Sequence, residues 1–126
     1  MFDAMIKWRI ENDIDNAHKF DFHELHALRN VYPAGHHNID KFGRPIYMEV
    51  VGTLDPKKVF AISTEERIIK FYHQSYEKLM NFIFPVCTKL AGRNIEQGLN
   101  VFDLKGGTVF PTKEMYSLLK LAAKVT

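Results

Sequence analysis

Residues 44–52, RPIYMEVVG, residues 63–83, STEERIIKFYHQSYEKLMNFI, and residues 99–107, LNVFDLKGG, decide the fold. In the first run the β-branched and aromatic residues from Ile46 to Val51 stand between Pro45 and Gly52, which predicts a strand. In the second, Ser63 with Glu66 three residues on forms a capping box, so a long helix starts there. Ile68, Ile69, Tyr72, Tyr76, Leu79, Met80 and Ile83 then recur at helical spacing and give that helix one broad, aromatic-rich apolar face. Pro85, lacking an amide donor, bends or interrupts it, and Gly92 stops the shorter helix that follows. The third run is a second strand, Leu99 to Leu104, closed by Lys105-Gly106-Gly107. Strand, long helix and strand make a crossover unit, which predicts a parallel pair with a right-handed connection and an α/β fold.

Outward from this unit the pattern is weaker. Phe2, Met5, Ile6 and Trp8 follow helical spacing up to Ile10, as a helix entered partway would. From Asp13 to Asn30 the residues are mixed, with Phe20, Phe22, Leu25 and Leu28 marking a helical turn or two around HELHALRN. Tyr32-Pro33-Ala34-Gly35 stops any helix, and HHNIDKFGRP reads as turn chemistry around Gly43. Thr53 to Ala61 reads as a plain connection. From Thr112 onward, Met115, Leu118, Leu119, Ala122 and Ala123 mark a further amphipathic helix. Two parallel strands are too few to close a core, so the expectation is a sheet that continues beyond this segment.

With 126 residues, 46% apolar and 25% charged, the chain has the size and composition of one globular domain. Its 17 basic and 15 acidic residues are interspersed and leave a formal charge of +2, which argues against a nucleic-acid partner. A single cysteine, Cys87, excludes an intrachain disulfide and suits a reducing compartment. No apolar run approaches the roughly 18–20 residues of a membrane span, and the N-terminus lacks the layout of a signal peptide. The expected location is cytoplasmic, peripheral to membranes. Ten Phe, five Tyr and five Met supply the large adaptable groups that fill a core or line a pocket for an apolar ligand.

Five short motifs stand in order along the chain: Lys7-Trp8-Arg9; Tyr32-Pro33 with the segment from Asp40 to Tyr47; Glu65-Glu66-Arg67; Pro85-Val86-Cys87; and Asp103-Leu104-Lys105-Gly106. In sequence and spacing they resemble the CRAL-TRIO lipid-binding family, in its phosphatidylinositol/phosphatidylcholine transfer branch. The resemblance implies a helical N-terminal region, of which residues 1–31 are the C-terminal part. It also implies that residues 32–126 are the first half of a domain whose sheet floors a large apolar cavity. By that comparison the earlier helices and the second half, with its gating helix and head-group residues, are absent here. The function implied is lipid binding and phospholipid transfer at membrane surfaces, with phosphatidylinositol or a similar lipid as partner, no cofactor and no catalysis. The alternative is an interaction or regulatory fragment that pairs, with itself or another protein, through an uncovered sheet edge.

The resemblance assigns lipid contact to Tyr47, Tyr76 and Phe82 as cavity-wall aromatics, and to Thr108 as a phosphate-facing hydroxyl. Phe110 stands where a second hydroxyl is expected, and a phenyl ring leaves a phosphate oxygen unpaired, which puts phosphatidylcholine in doubt. Tyr72 and Met80 from the long helix, laid over alternating strand residues such as Val101, would complete the wall. Spacing alone favours solid core for such residues, and only the resemblance points to a cavity. Asp103 sits at a strand end, where open α/β sheets place ligand sites. His23-Glu24-Leu25-His26 is one residue short of a zinc-hydrolase spacing, and Cys87 has no neighbouring base, so metal and nucleophilic chemistry are not expected.

Overall fold

The computed structural model describes residues 1–107, with Lys113 and Lys120 beyond them. The C-terminal helix expected from Thr112, but for those two lysines, lies outside the described residues, as do Thr108 and Phe110. The elements are α1 (Phe2–Glu11), a 3₁₀ turn (Ile14–Lys19), α2 (Leu25–Val31), β1 (Ala34–Ile39), β2 (Pro45–Val50), α3 (Pro56–Ile62), α4 (Glu65–Lys78), a π segment (Leu79–Ile83), α5 (Phe84–Ala91) and β3 (Leu99–Asp103).

β2 is the centre of a mixed three-stranded sheet, antiparallel to β1 and parallel to β3. The parallel pair runs in register from Ile46 opposite Leu99 to Val50 opposite Asp103. β1 corrects the reading of residues 34–39 as turn. His36, His37 and Asn38 lack apolar alternation because four of the six strand residues are exposed. Asn38 at φ 61° breaks the register between His36 and Ile39. The turn itself is confined to Asp40–Gly43. There the Asp40 carboxylate accepts from the amides of Phe42 and Arg44 and from Arg44 Nε, and Gly43 holds φ 87°.

α3 corrects the reading of residues 53–61 as a plain connection. Asp55 Oδ1 accepts from the amide of Lys57, and Pro56 opens the helix where a missing donor costs nothing. The cap of α4 falls one residue later than expected. Thr64 Oγ1 accepts from the amide of Arg67, while Ser63 is buried and donates to Glu24. Pro85 does not break the helix. The preceding turn widens into the π segment, which absorbs the clash and the lost donor, and α5 runs on to Gly92 at φ 69°.

The buried centre lies between α2, α3 and α4, not between a helix and the sheet as the spacing had implied. Phe22, Leu28, Leu54, Val59 and Ile68 form it, with Phe20, Phe71 and Tyr72 packed around. Arg67, from the Glu65-Glu66-Arg67 motif, ties the start of α4 to α2: it donates to both oxygens of Glu24 at 2.6 and 3.0 Å and to the carbonyl of Asp21. Its guanidinium also stacks 5.0 Å from the centre of the Phe20 ring. The bond from Arg67, helped by one from Ser63, lowers the Glu24 carboxyl to about 2 against the cost of its desolvation. A carboxyl with a depressed folded pKa stabilises above its unfolded value and loses that stabilisation as pH falls toward the folded one. Glu24→Gln is therefore expected to lower the melting temperature at neutral pH. The gap to wild type should shrink between pH 4.5 and 2, as followed by circular dichroism; a gap independent of pH would contradict this linkage.

Candidate functional site

Between α4, the β1–β2 pair and the N-terminal helices lies a cavity of about 1110 Å³, at the top of the ~300–1,000 Å³ range of small-molecule sites. Of the Lys7-Trp8-Arg9 motif, Arg9 lines it, together with Met5 one turn earlier on α1. Trp8 meets the buried His73 of α4 edge to face at 5.3 Å. Arg9 donates to Glu77 and Asp15 at 2.8 Å each, clasping α1 and the 3₁₀ turn to α4. These bonds hold the guanidinium charged, and the Arg9 bond in turn lowers the Glu77 carboxyl. The Lys7 ammonium, by contrast, faces outward, 3.9 Å from Glu11 and well exposed.

The floor and one side are apolar and aromatic: Ile14, Leu25, Leu28, Phe71, Tyr72, Met80 and Ile83 with Tyr47 and Gly35 of the sheet. Three of the residues singled out from the sequence, Tyr47, Tyr72 and Met80, line this cavity. Tyr76 stands beside them, 39% exposed, close enough for electrostatic coupling to Glu49 and Tyr72. The others are placed elsewhere. Phe82, on the π segment, is 60% exposed and outside the lining. Val101 lies on β3, all five residues of which are exposed, and the Asp103 carboxylate accepts from the amide of Lys105.

The residue that sequence reasoning missed is Glu49. In β2 it shares a face with Tyr47, two positions away, and four phenols surround it. Tyr32 donates to Glu49 Oε2 at 2.6 Å. Tyr47, Tyr72 and Tyr76 feel its charge. Burial first, and the carboxylate next, push every one of these phenols up, Tyr72 to about 12 and Tyr32 and Tyr47 further. They stay protonated at neutral pH, and Tyr32 is the one seen donating. His36, paired with Tyr47 across the strands with ring centres 5.0 Å apart, is shifted down by burial and by Lys78, so it stays neutral as well. The cavity thus has an apolar body and one side where Tyr32 and Tyr47 line it with the Glu49 carboxylate, itself outside the lining, close behind them, while Arg9, Arg29 and Lys78 bring positive charge to the same lining.

Among the described residues no three His, Cys, Asp or Glu side chains group to hold a metal ion. No helix among them is long and apolar enough to cross a membrane.

No family model matches the sequence. Among curated proteins, the chain is 36% identical over 107 residues to the phosphatidylinositol/phosphatidylcholine transfer protein SFH9 of Arabidopsis thaliana, covering 84% of this chain and 18% of that protein. It is 35% identical to the Sec14 cytosolic factor of Schizosaccharomyces pombe over its whole length, which is 44% of that protein. To the SEC14 cytosolic factor of Kluyveromyces lactis it is 29% identical over 99% of the chain and 42% of the relative. The chain thus spans less than half the length of each of these relatives. With 29–36% identity sustained over most or all of its residues, it is a homologue of the Sec14 and SFH transfer proteins and belongs with them to the CRAL-TRIO family.

Proposed function

We propose that this chain is a phospholipid-binding module of the transfer type, acting in the cytoplasm and visiting membrane surfaces transiently. Residues 1–31 serve as its helical N-terminal part and residues 32–126 as the first part of the lipid-binding domain. The observation that carries the reading is the cavity's division into an apolar body and a Glu49–tyrosine pole. Acyl chains need a dry wall, since each buried methylene contributes about 0.8 kcal/mol, and Leu25, Leu28, Phe71 and Met80 offer one. At the pole, phenols with a carboxylate close behind them suit an amine or choline head, and Arg9, Arg29 and Lys78 of the same lining suit the phosphate that such a head carries. This favours a choline lipid, against the doubt that Phe110 raised from sequence. Tyr47, Tyr72, Tyr76 and Met80 are the wall, with Phe82, Val101, Asp103, Thr108 and Phe110 as further candidates for lipid contact. The printed names of the relatives, phosphatidylinositol/phosphatidylcholine transfer proteins, support the same substrate class.

Native mass spectrometry after incubation with mixed phospholipid vesicles and removal of the vesicles tests this. One glycerophospholipid per chain, enriched in choline lipids, is the expected result, and a chain that emerges bare would refute the proposal.

A second reading has its own observation. β3 is exposed along its whole length, with Leu99, Val101 and Phe102 at 40%, 39% and 55%, and among the described residues it has no neighbour on its outer edge. Such an edge pairs readily with another strand. A lipid-free dimer in the same spectra would favour pairing over carriage.

A further inference from the structure

The turn between β1 and β2 and the end of α5 form one corner of the molecule, and none of its residues Phe42, Arg44 and Arg93 lines the cavity. Gly43 is seated so closely on α5 that a Cβ there would lie 2.9 Å from that of Ala91. Arg93, just past the end of α5, donates from its guanidinium to the carbonyl of Phe42. The turn is thereby held rigid, and it presents Phe42, 49% exposed, next to Ile39, 42% exposed. Two cations flank the Phe42 ring, Lys41 Nζ at 5.2 Å and Arg44 at 5.0 Å from its centre. Of the nearby carboxylates, Asp40 is taken up by Arg44 at 2.7 Å and by the amides of the turn, and Glu96 accepts from Asn94. Glu96 keeps its charge beside Arg93, so the three cations Lys41, Arg44 and Arg93 exceed the two carboxylates Asp40 and Glu96 by one around a half-exposed aromatic ring, and among the described residues no ion pair holds Lys41.

From this geometry we infer that the corner is a docking point for an anionic lipid bilayer, with the Phe42 ring entering the interface and Lys41 and Arg93 at the level of the lipid phosphates. The inference deepens the transfer reading, and rests on it, by naming the surface through which this chain meets a membrane. Charge complementarity selects the occupant. Cations that keep their heads wet while an aromatic ring sinks between them match an interface of apolar tails under negative head groups. The ring projects from a rigid turn, which suits insertion into a soft interface.

The test is sedimentation of the full 126-residue chain with phosphatidylcholine vesicles, with and without phosphatidylserine. Wild type should bind the anionic vesicles about tenfold more strongly than the neutral ones, the gap closing with salt. Lys41→Glu should remove that gap, and Phe42→Ser should weaken binding to both vesicle types by about tenfold. Lys57→Glu, an exposed charge on α3, should change nothing. Both corner side chains are solvent-facing, so the variants should melt with wild type. Equal binding of wild type to the two vesicle types, or a loss as large in Lys57→Glu as in Lys41→Glu, overturns the inference. Vesicles ignored while a polyglutamate resin retains wild type and releases Lys41→Glu would assign the corner to an acidic protein and overturn it as well. Lipid adducts measured without vesicles keep the two readings apart. Adducts with no vesicle binding sink the corner alone, and corner-dependent vesicle binding with no adducts sinks the transfer reading alone.

Discussion

Gly52→Ala is expected to destabilise the protein by about 3 kcal/mol, as forced overpacking against backbone does, and so to lower its melting temperature by roughly 10–15 °C. Gly52 follows β2 where the chain crosses the end of β3. A Cβ added there would lie 2.2 Å from the carbonyl oxygen of Lys105 and 2.5 Å from the carbonyl carbon and oxygen of Leu104. All three are backbone atoms, so no rotamer change relieves the clash. The strands are locked at this point, because the amides of Val51 and Gly52 both donate to the carbonyl of Asp103 at 2.9 Å. Relief therefore means prying apart the parallel pair at its Asp103-Leu104-Lys105-Gly106 end. Gly35→Ala is the matched control, since a Cβ at Gly35 meets nothing within 4 Å. Thermal melts that put Gly52→Ala within a degree or two of the control would refute the close approach.

Glu49→Gln is expected to weaken binding of a choline phospholipid about tenfold, the equivalent of about 1.4 kcal/mol, while leaving an uncharged diacylglycerol of the same chains unaffected. The substitution preserves shape, and the amide oxygen still accepts from Tyr32, so the Tyr32–Glu49 link at 2.6 Å has a neutral replacement. What it removes is the charge next to the tyrosines, which is the part of the proposed site that distinguishes a cationic head from none. Competition against a fluorescent lipid measures both ligands in one assay. A parallel loss for both would mean that Glu49 shapes the wall without reading the head group.

The two strands that carry the parallel pair were legible because β-branched and aromatic runs between proline and glycine suit little else. α4 was legible because seven apolar residues from Ile68 to Ile83 recur at one helical spacing. β1 was not, since an edge strand with four of its six residues exposed needs only the backbone ladder of β2, and His36, His37 and Asn38 advertise no buried face. α3 did carry a signal, Asp55-Pro56 as cap and first turn, in a stretch whose apolar residues are too few to show a period. The site divides along the same line. Tyr47 and Tyr72 were found as large aromatics on elements already recognised, whereas Glu49 was passed over as one more strand residue. Its position two places from Tyr47 was the available clue.

Local chemistry along the chain, then, was enough to determine the strands, the long capped helix, the stop at Gly92 of the shorter helix after it and kinship with a lipid-binding family. Those features depend on propensity, caps and short motifs, which act within a few residues. Only the tertiary structure decided that the core lies among α2, α3 and α4, and that four phenols gather on one carboxylate. Tyr32 reaches Glu49 across 17 residues of sequence. That meeting depends on the register of one strand against its neighbour and on the helix laid beside them, a packing relation between elements that no single stretch of residues encodes.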